Sequence, residues 1–348
     1  MEKIHKIYKY ETKKKIKILI ILLILIIASY ISTFSGIADI NIKRVLVTYF
    51  KFFTFSDVEV LSKKEMVIFI DLRFARVFLG IVAGFSLAIC GTVMQSITQN
   101  KMSSPFTTGI SSAASMGAAF AILFFLEYFK YSEYIIVFFA FMFGLVCSLL
   151  VYGLSMIKGM SKSTLILIGI AFNYLFSSGN AALQFIANDE VLSSIVNWTF
   201  GNFSGVSWRK IFIMTAMLLI LFPYFFINRY SYNLLAMGEE SAISLGVNVK
   251  KLRVLSGLFI TLLTASVVSF VGVVAFVGII APHISRILMG DDHRYSILLS
   301  GLIGAVLIVI SDYIGRTIVS PIIVPIGIVV SFVGIPIFIY LIMSSKRV

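Results

Sequence analysis

The chain is 348 residues long, 59% hydrophobic and 13% charged, with a formal charge of +13. Soluble domains carry roughly a quarter charged residues, so a mean hydropathy of +1.02 excludes an ordinary soluble globule and describes a polytopic membrane protein. The two cysteines, Cys90 and Cys147, lie within apolar runs, which excludes a disulfide framework and a cysteine metal site.

Lys3, Lys6, Lys9, Lys13, Lys14, Lys15 and Lys17 crowd the amino terminus and run into ILIILLILIIA. A basic patch alone suits nucleic acid, but a patch joined to an apolar run reads as an orientation signal. Residues 1–15 are therefore expected as a solvated cytoplasmic tail in a chain with no nucleic-acid partner. No small-x-small cleavage site follows in SYISTFSG, so Ile16 to Gly36 is expected as a retained first helix. About twenty apolar residues cross a bilayer. Candidate spans run over 16–37, 68–98, 107–126, 132–156, 163–187, 209–228, 251–269, 273–289, 296–314 and 323–343. These predict an all-α polytopic fold of ten transmembrane helices forming one permease-sized domain over 1–348. The eighth span is the weakest, because Pro282 and His283 interrupt it. Lysine and arginine in short loops favour both termini on the cytoplasmic side.

Within this topology, residues 38–67 form an external loop whose NIKRVLVTYFKFF is amphipathic at helical spacing and lies along the outer surface. At the head of span two, DLRFARVFLG places Arg73 and Arg76 three apart, on one helical face at the outer rim. Gly80, Gly84 and Gly91 follow on the same helix and permit close backbone approach. In span five, AFNYLFSSGNAALQF carries Asn173, Ser177, Ser178, Asn180 and Gln184, uncharged polar groups at depth suited to a hydrated, low-affinity path. Helix–helix hydrogen bonding accounts for the same residues almost as well. Residues 188–208 form a second external connection with room for a short re-entrant helix, and Trp198 and Trp208 read as interface anchors. Residues 231–250 are the sizeable polar insertion of the inner side, with a helix broken at Gly238 and a second ending at Gly246. Asp312 sits within the ninth span with Arg316 four residues on, an i,i+4 pair.

Chemistry is sparse. There is no HExxH, GxSxG or P-loop, and the three histidines are scattered, so no catalytic residue, metal site or cofactor is expected. Transport against a gradient would need borrowed energy. An ion-coupled secondary transporter, the alternative from another class, would need several intramembrane carboxylates, and Asp312 alone is available.

Seven segments in order carry a resemblance: DLRFARVFLGIVAGFSLAICGTVMQSITQN, SSPFTTGISSAASMGAA, LILIGIAFNYLFSS, NWTFGNFSGVSW, LLAMGEESAISLGVNVKKLR, FVGIIAPHISRILMGDDHR and VPIGIVVSFVGIPIFIYLI. From about residue 71 to its end the chain resembles the FecCD family, permeases of binding-protein-dependent ABC importers for ferric siderophores, haem and cobalamin, with the type II importer architecture. The resemblance implies a non-catalytic, multi-pass subunit of a bacterial cytoplasmic membrane. It implies a dimer, with itself or a related permease, around a central path through the lipid bilayer. Two ATP-binding cassette subunits would dock on coupling helices at Leu234, Leu235, Gly238, Glu239, Glu240, Ala242, Leu245 and Gly246. An extracytoplasmic substrate-binding protein would present acidic residues to Arg73, Arg76 and Arg316. Iron–siderophore is the commonest cargo of such permeases, with haem and cobalamin as alternatives. Ala75 departs from the family, which usually has proline between the two arginines; its loss should let the helix begin earlier.

Overall fold

The computed structural model describes residues 2–35, 62–125, 132–203, 205–319 and 321–344. The stretch NIKRVLVTYFKFF lies outside them. In chain order the helices are α1 (Glu2–Phe34), α2 (Lys63–Val67), a π-helical segment (Ile68–Phe74) and α3 (Ala75–Thr98). Then follow α4 (Ile110–Phe125), α5 (Ser132–Ile157), α6 (Lys162–Ile186), α7 (Asp189–Thr199) and α8 (Trp208–Ile227). The last are α9 (Arg229–Ala236), α10 (Glu239–Ser244), α11 (Val249–Val271), α12 (Val277–Met289), α13 (His293–Thr317) and α14 (Ile326–Ser344). Among the described residues, seven helices are long and apolar enough to cross a membrane, and Ile110–Phe125, Val277–Met289 and Ile326–Tyr340 are shorter apolar helices. Together they occupy the ten expected spans, an all-α polytopic fold.

α3 is the axis of the bundle: 83% of its most apolar window is buried, and α8, α11, α12 and α13 pack around it. In lipid, helices gain little from excluding water, so close backbone approach and interhelical hydrogen bonds hold them together. Glycines make that approach. A Cβ on Gly84 would stand 2.3 Å from the Gly304 carbonyl oxygen of α13, and one on Gly91 would stand 1.9 Å from that of Gly278 on α12. Polar side chains add cross-links: Thr92 bonds to Ser300 at 2.6 Å at the α3–α13 seam, and Ser148 of α5 to Thr261 of α11 at 2.5 Å.

Two expected boundaries move. Residues 63–67 are helical rather than part of the loop. The hydroxyl of Ser62 accepts the Glu65 amide, and the Glu65 carboxylate accepts the Ser62 amide at 2.8 Å, a capping box spelled by SKKE. The basic tail is also not simply solvated: α1 is helical from Glu2, and Lys14 is buried against Asp292 at 3.0 Å.

The helix carrying the two arginines does begin earlier than a proline would allow. α2, the π segment and α3 form one continuous rod over Lys64–Thr98. The Ala75 amide donates to the Ile70 carbonyl, five residues back, and so closes the last π turn. Proline has no N–H to make that bond. Alanine at 75 is therefore what permits the wide turn, and its side chain is fully buried.

Candidate functional site

Two polar clusters are marked by the two ends of α13: Asp292 at one, Asp312 towards the other. At the Asp312 end, α1, α3 and α13 converge. Asp312 is buried; its carboxylate accepts Arg76 Nε at 2.8 Å and Arg316 Nε at 3.0 Å. Arg316 also donates to the Ser32 carbonyl at 3.0 Å and the Ser32 hydroxyl at 2.7 Å, where α1 is finishing. Arg73, in the π segment, is buried and points at the last carbonyls of α1, with Thr33 O at 3.4 Å and Phe34 O at 3.5 Å. Unpaired helix-terminal carbonyls carry partial negative charge, so a guanidinium there is favourably placed. The sequence spacing sets Arg73 and Arg76 out as a pair of outward donors. The structure brings Arg73, Arg76 and Arg316 into one cluster with Asp312, as expected for Arg316, but uses much of their donor capacity inside the chain. Beside the cluster, Arg76 lies over the Phe203 ring at 5.9 Å, and Trp208 Nε1 donates to Asp71 at 3.1 Å while packing on Phe74 and Phe78.

The Asp292 end is organised by α1, α9, α10, α12 and α13. Asp292 caps α13 and accepts Lys14, Asn233 at 3.1 Å and Arg294 at 2.9 Å. Burial pushes this carboxyl up, but the hydrogen bonds from Arg294, Asn233 and Lys14 outweigh it and hold it well below the usual carboxylate range. The Asp292–Asn233–Lys14 junction was not read from the sequence, although GDDHR lies in one of the motif segments. α9 and α10 form a short helical pair joined at Gly238, whose φ of 118° suits a residue without a side chain. Gly246, at φ 86°, follows α10, and the Val247 amide returns to the Ala242 carbonyl at 2.9 Å.

This pair sorts its residues by face. Leu235 and Ala242 are fully buried, and Leu234 packs against the core. Glu240, Leu245 and Gly246 face outward, joined by Met237 at 71% and Ile243 at 57% exposure, two apolar residues that sequence reasoning did not single out. Glu239 turns back into the bundle and forms a bidentate pair with Arg253, at 3.0 and 2.7 Å. A cavity of about 380 Å³ opens beside the Gly238 turn, lined in part by Gln95, Lys101, Arg286 and His293.

Between the two ends, α6 is the most exposed long helix: only 11% of its most apolar window is buried. Asn173, Ser177, Asn180 and Gln184 recur at i, i+4, i+7 and i+11 and so share one stripe, while Ser178 lies off it. Asn173 is tied to α4 by the Ser112 hydroxyl, whereas the Asn180 carbonyl oxygen is buried without a partner. Ser177 and Ser178 are exposed. Among the described residues, no group of three or more histidine, cysteine, aspartate or glutamate side chains could hold a metal.

A bundle of long apolar helices with polar clusters at both ends and a half-exposed polar stripe is that of a multi-pass membrane protein. Comparison with known proteins makes its class a membrane transport subunit: the profile of the FecCD transport family matches residues 22–344, and the chain belongs to that family. An ABC transporter permease protein of Methanocaldococcus jannaschii is 42% identical over 287 residues, covering 80% of this chain and 82% of the relative. The Fe(3+)-citrate import permease of Bacillus subtilis is 33% identical, covering 79% and 81%. The hemin transport permease of Yersinia pestis is 31% identical, covering 80% and 84%. A solved metal-chelate type ABC transporter in an inward-facing conformation has the same fold, with a TM-score of 0.81 at 28% identity, over 94% of this chain and 98% of that one.

Proposed function

We propose that this chain is the transmembrane permease subunit of an ATP-driven importer that carries an iron chelate, a ferric siderophore, across a bacterial cytoplasmic membrane. The observation that carries the reading is the α9–α10 pair in a chain of this family. A buried inner face fixes it to the bundle, while Met237, Ile243, Leu245 and Glu240 project where a second protein can reach them. In this reading the Asp292 end is cytoplasmic, with residues 1–15 and 231–250, and two ATPase subunits dock on the pair. Residues 38–67 and the Asp312 end face outward. There Arg73, Arg76 and Arg316 are the residues we assign to docking of an acidic binding-protein surface, and the 12% and 14% side-chain exposure that Arg76 and Arg316 retain supports it.

The polar stripe of α6 supports a second permease subunit facing the same path. Polar groups exposed at membrane depth are costly against lipid tails, so Ser177, Asn180 and Gln184 are better placed against water or a partner than against acyl chains. The ion-coupled alternative loses its carboxylate, because Asp312 is held by two guanidinium groups.

The test is reconstitution with the cognate ATPase and binding protein in proteoliposomes, with a ferric siderophore, ferric citrate, haem and cobalamin as separate cargoes. ATP-dependent uptake of the siderophore is expected. Uptake that persists without ATPase and nucleotide refutes the importer reading, and uptake of haem or cobalamin alone refutes the cargo.

A further inference from the structure

Arg253 lies in the second turn of α11 and is 2% exposed. Its guanidinium contacts three separate parts of the chain. Nε donates to the Ile97 carbonyl at 3.0 Å, in the last turn of α3. Nη1 donates to the Met160 carbonyl at 3.2 Å, in the turn that joins α5 to α6, where Met160 holds a left-handed φ of 60°. Nη1 and Nη2 then grip the Glu239 carboxylate at 3.0 and 2.7 Å, at the first residue of α10. Of the docking elements assigned above, α10 is thus fastened by one planar side chain to the ends of α3, α5 and α11. A bidentate guanidinium–carboxylate pair fixes orientation as well as distance. Glu239 keeps 42% of its side chain exposed, so the link runs from the protein surface to a buried hub.

We propose that Arg253 is a positioning residue that converts displacement of α10 into movement of the inner ends of α3 and the α5–α6 turn. This rests on the docking reading above. When an ATPase shifts α10, the Glu239 carboxylate carries the guanidinium with it, and the guanidinium draws on the Ile97 and Met160 carbonyls. The buried end of the link follows, because separation from the Glu239 carboxylate would leave a desolvated guanidinium without its counter-charge. An ammonium at position 253 could not hold all three partners in one plane.

Two measurements test it. In the permease alone, in lipid nanodiscs, spin labels at Ser244 and Lys158, both exposed, report the separation of α10 from the α5–α6 turn. A single narrow distance is expected for the wild type and for Glu239→Asp, and a broadened one for Glu239→Gln and Arg253→Lys. Glu239→Gln leaves the bonds from Arg253 to Ile97 and Met160 in place, so it remains folded where Arg253→Ala is expected to fail. In the reconstituted importer, cargo moved per ATP hydrolysed should fall within the roughly 5–150-fold range of coupling effects for Glu239→Gln, with hydrolysis continuing and Glu239→Asp recovering most of it. A narrow distance in Glu239→Gln overturns the proposal, as does a broadened distance with unchanged cargo per ATP. A wild-type chain without ATP-driven transport overturns the docking reading and the proposal with it, and is recognised because the distance in the permease alone is still narrow.

Discussion

Replacing Asp312 by asparagine removes the carboxylate that Arg76 and Arg316 share. That carboxylate accepts two charge-assisted hydrogen bonds, at 2.8 and 3.0 Å, from a side chain only 3% exposed. Bonds of this kind are worth about 1.5–3 kcal/mol each, and a neutral one about 1 kcal/mol. Asparagine keeps one acceptor oxygen, so one weakened bond survives while two guanidinium groups lose their counter-charge. Removing one partner of a buried pair costs roughly 3–5 kcal/mol. The 12% and 14% exposure of the arginines places the expected loss at its lower end, about 3 kcal/mol. Equilibrium unfolding in mixed detergent micelles measures it. A cycle with Arg76→Gln should return a coupling energy of about 1.5–3 kcal/mol, because the double variant no longer strands both charges. Wild-type stability in Asp312→Asn, or strict additivity in the cycle, refutes the shared-carboxylate account.

Gly84→Val should destabilise by about 1–3 kcal/mol or more, because its Cβ would meet the Gly304 backbone at 2.3 Å and backbone cannot give way cheaply. Gly153→Ala, where nothing lies within 4 Å, should be neutral or slightly stabilising in the same unfolding assay. At the other end, Asp292 has a depressed folded-state pKa, so its stabilisation is fully present above its unfolded value, about 3.9, and is lost as pH falls through the folded value. The stability difference between wild type and Asp292→Asn should thus stay flat from pH 7 to about 5 and shrink below about 4. A difference already shrinking between pH 6 and 5 contradicts the clasp. Finally, Asn180→Leu with Gln184→Leu should reduce uptake in the reconstituted importer while leaving thermal stability of the permease unchanged. Raised stability with normal uptake would place the stripe against lipid.

Much of the fold was legible because a bilayer imposes one rule on every span: about twenty apolar residues with few charges. That rule found the ten helices, including α12, despite Pro282 within it. It failed where information is local or distant. SKKE states a capping box, but a loop boundary drawn from hydropathy alone overrides it at residues 63–67. Distant partners are harder: Arg73 and Arg76 sit three apart, yet their contacts, Thr33 and Asp312, are 40 residues before one and 236 after the other. Spacing tells which face a side chain takes, not which helix comes to meet it. Glu239 shows the same limit. Its place in the first turn of α10 was readable; its turn inward to Arg253 depends on α11 returning beside it.

The middle of the first helix packs through Leu25, Ile18, Ile21 and Ala28 against Val77, Leu302 and Val309, and polar clasps tie Lys14 to Asp292 and Ser32 to Arg316, while only 17% of its most apolar window is buried. Both clasp partners lie far downstream, at sequence separations of 278 and 284 residues. During synthesis, therefore, α1 meets the π segment and α3, through Arg73 and Val77, long before either clasp can form, and its leucine- and isoleucine-rich sides keep it soluble in lipid through that wait. Closure of the bundle is a late event of biogenesis, set by emergence of α13. Chains truncated before Asp292 should insert α1 yet leave the side that faces α13 accessible to cross-linking with lipid, and protection of that side should arrive once residue 316 has been made.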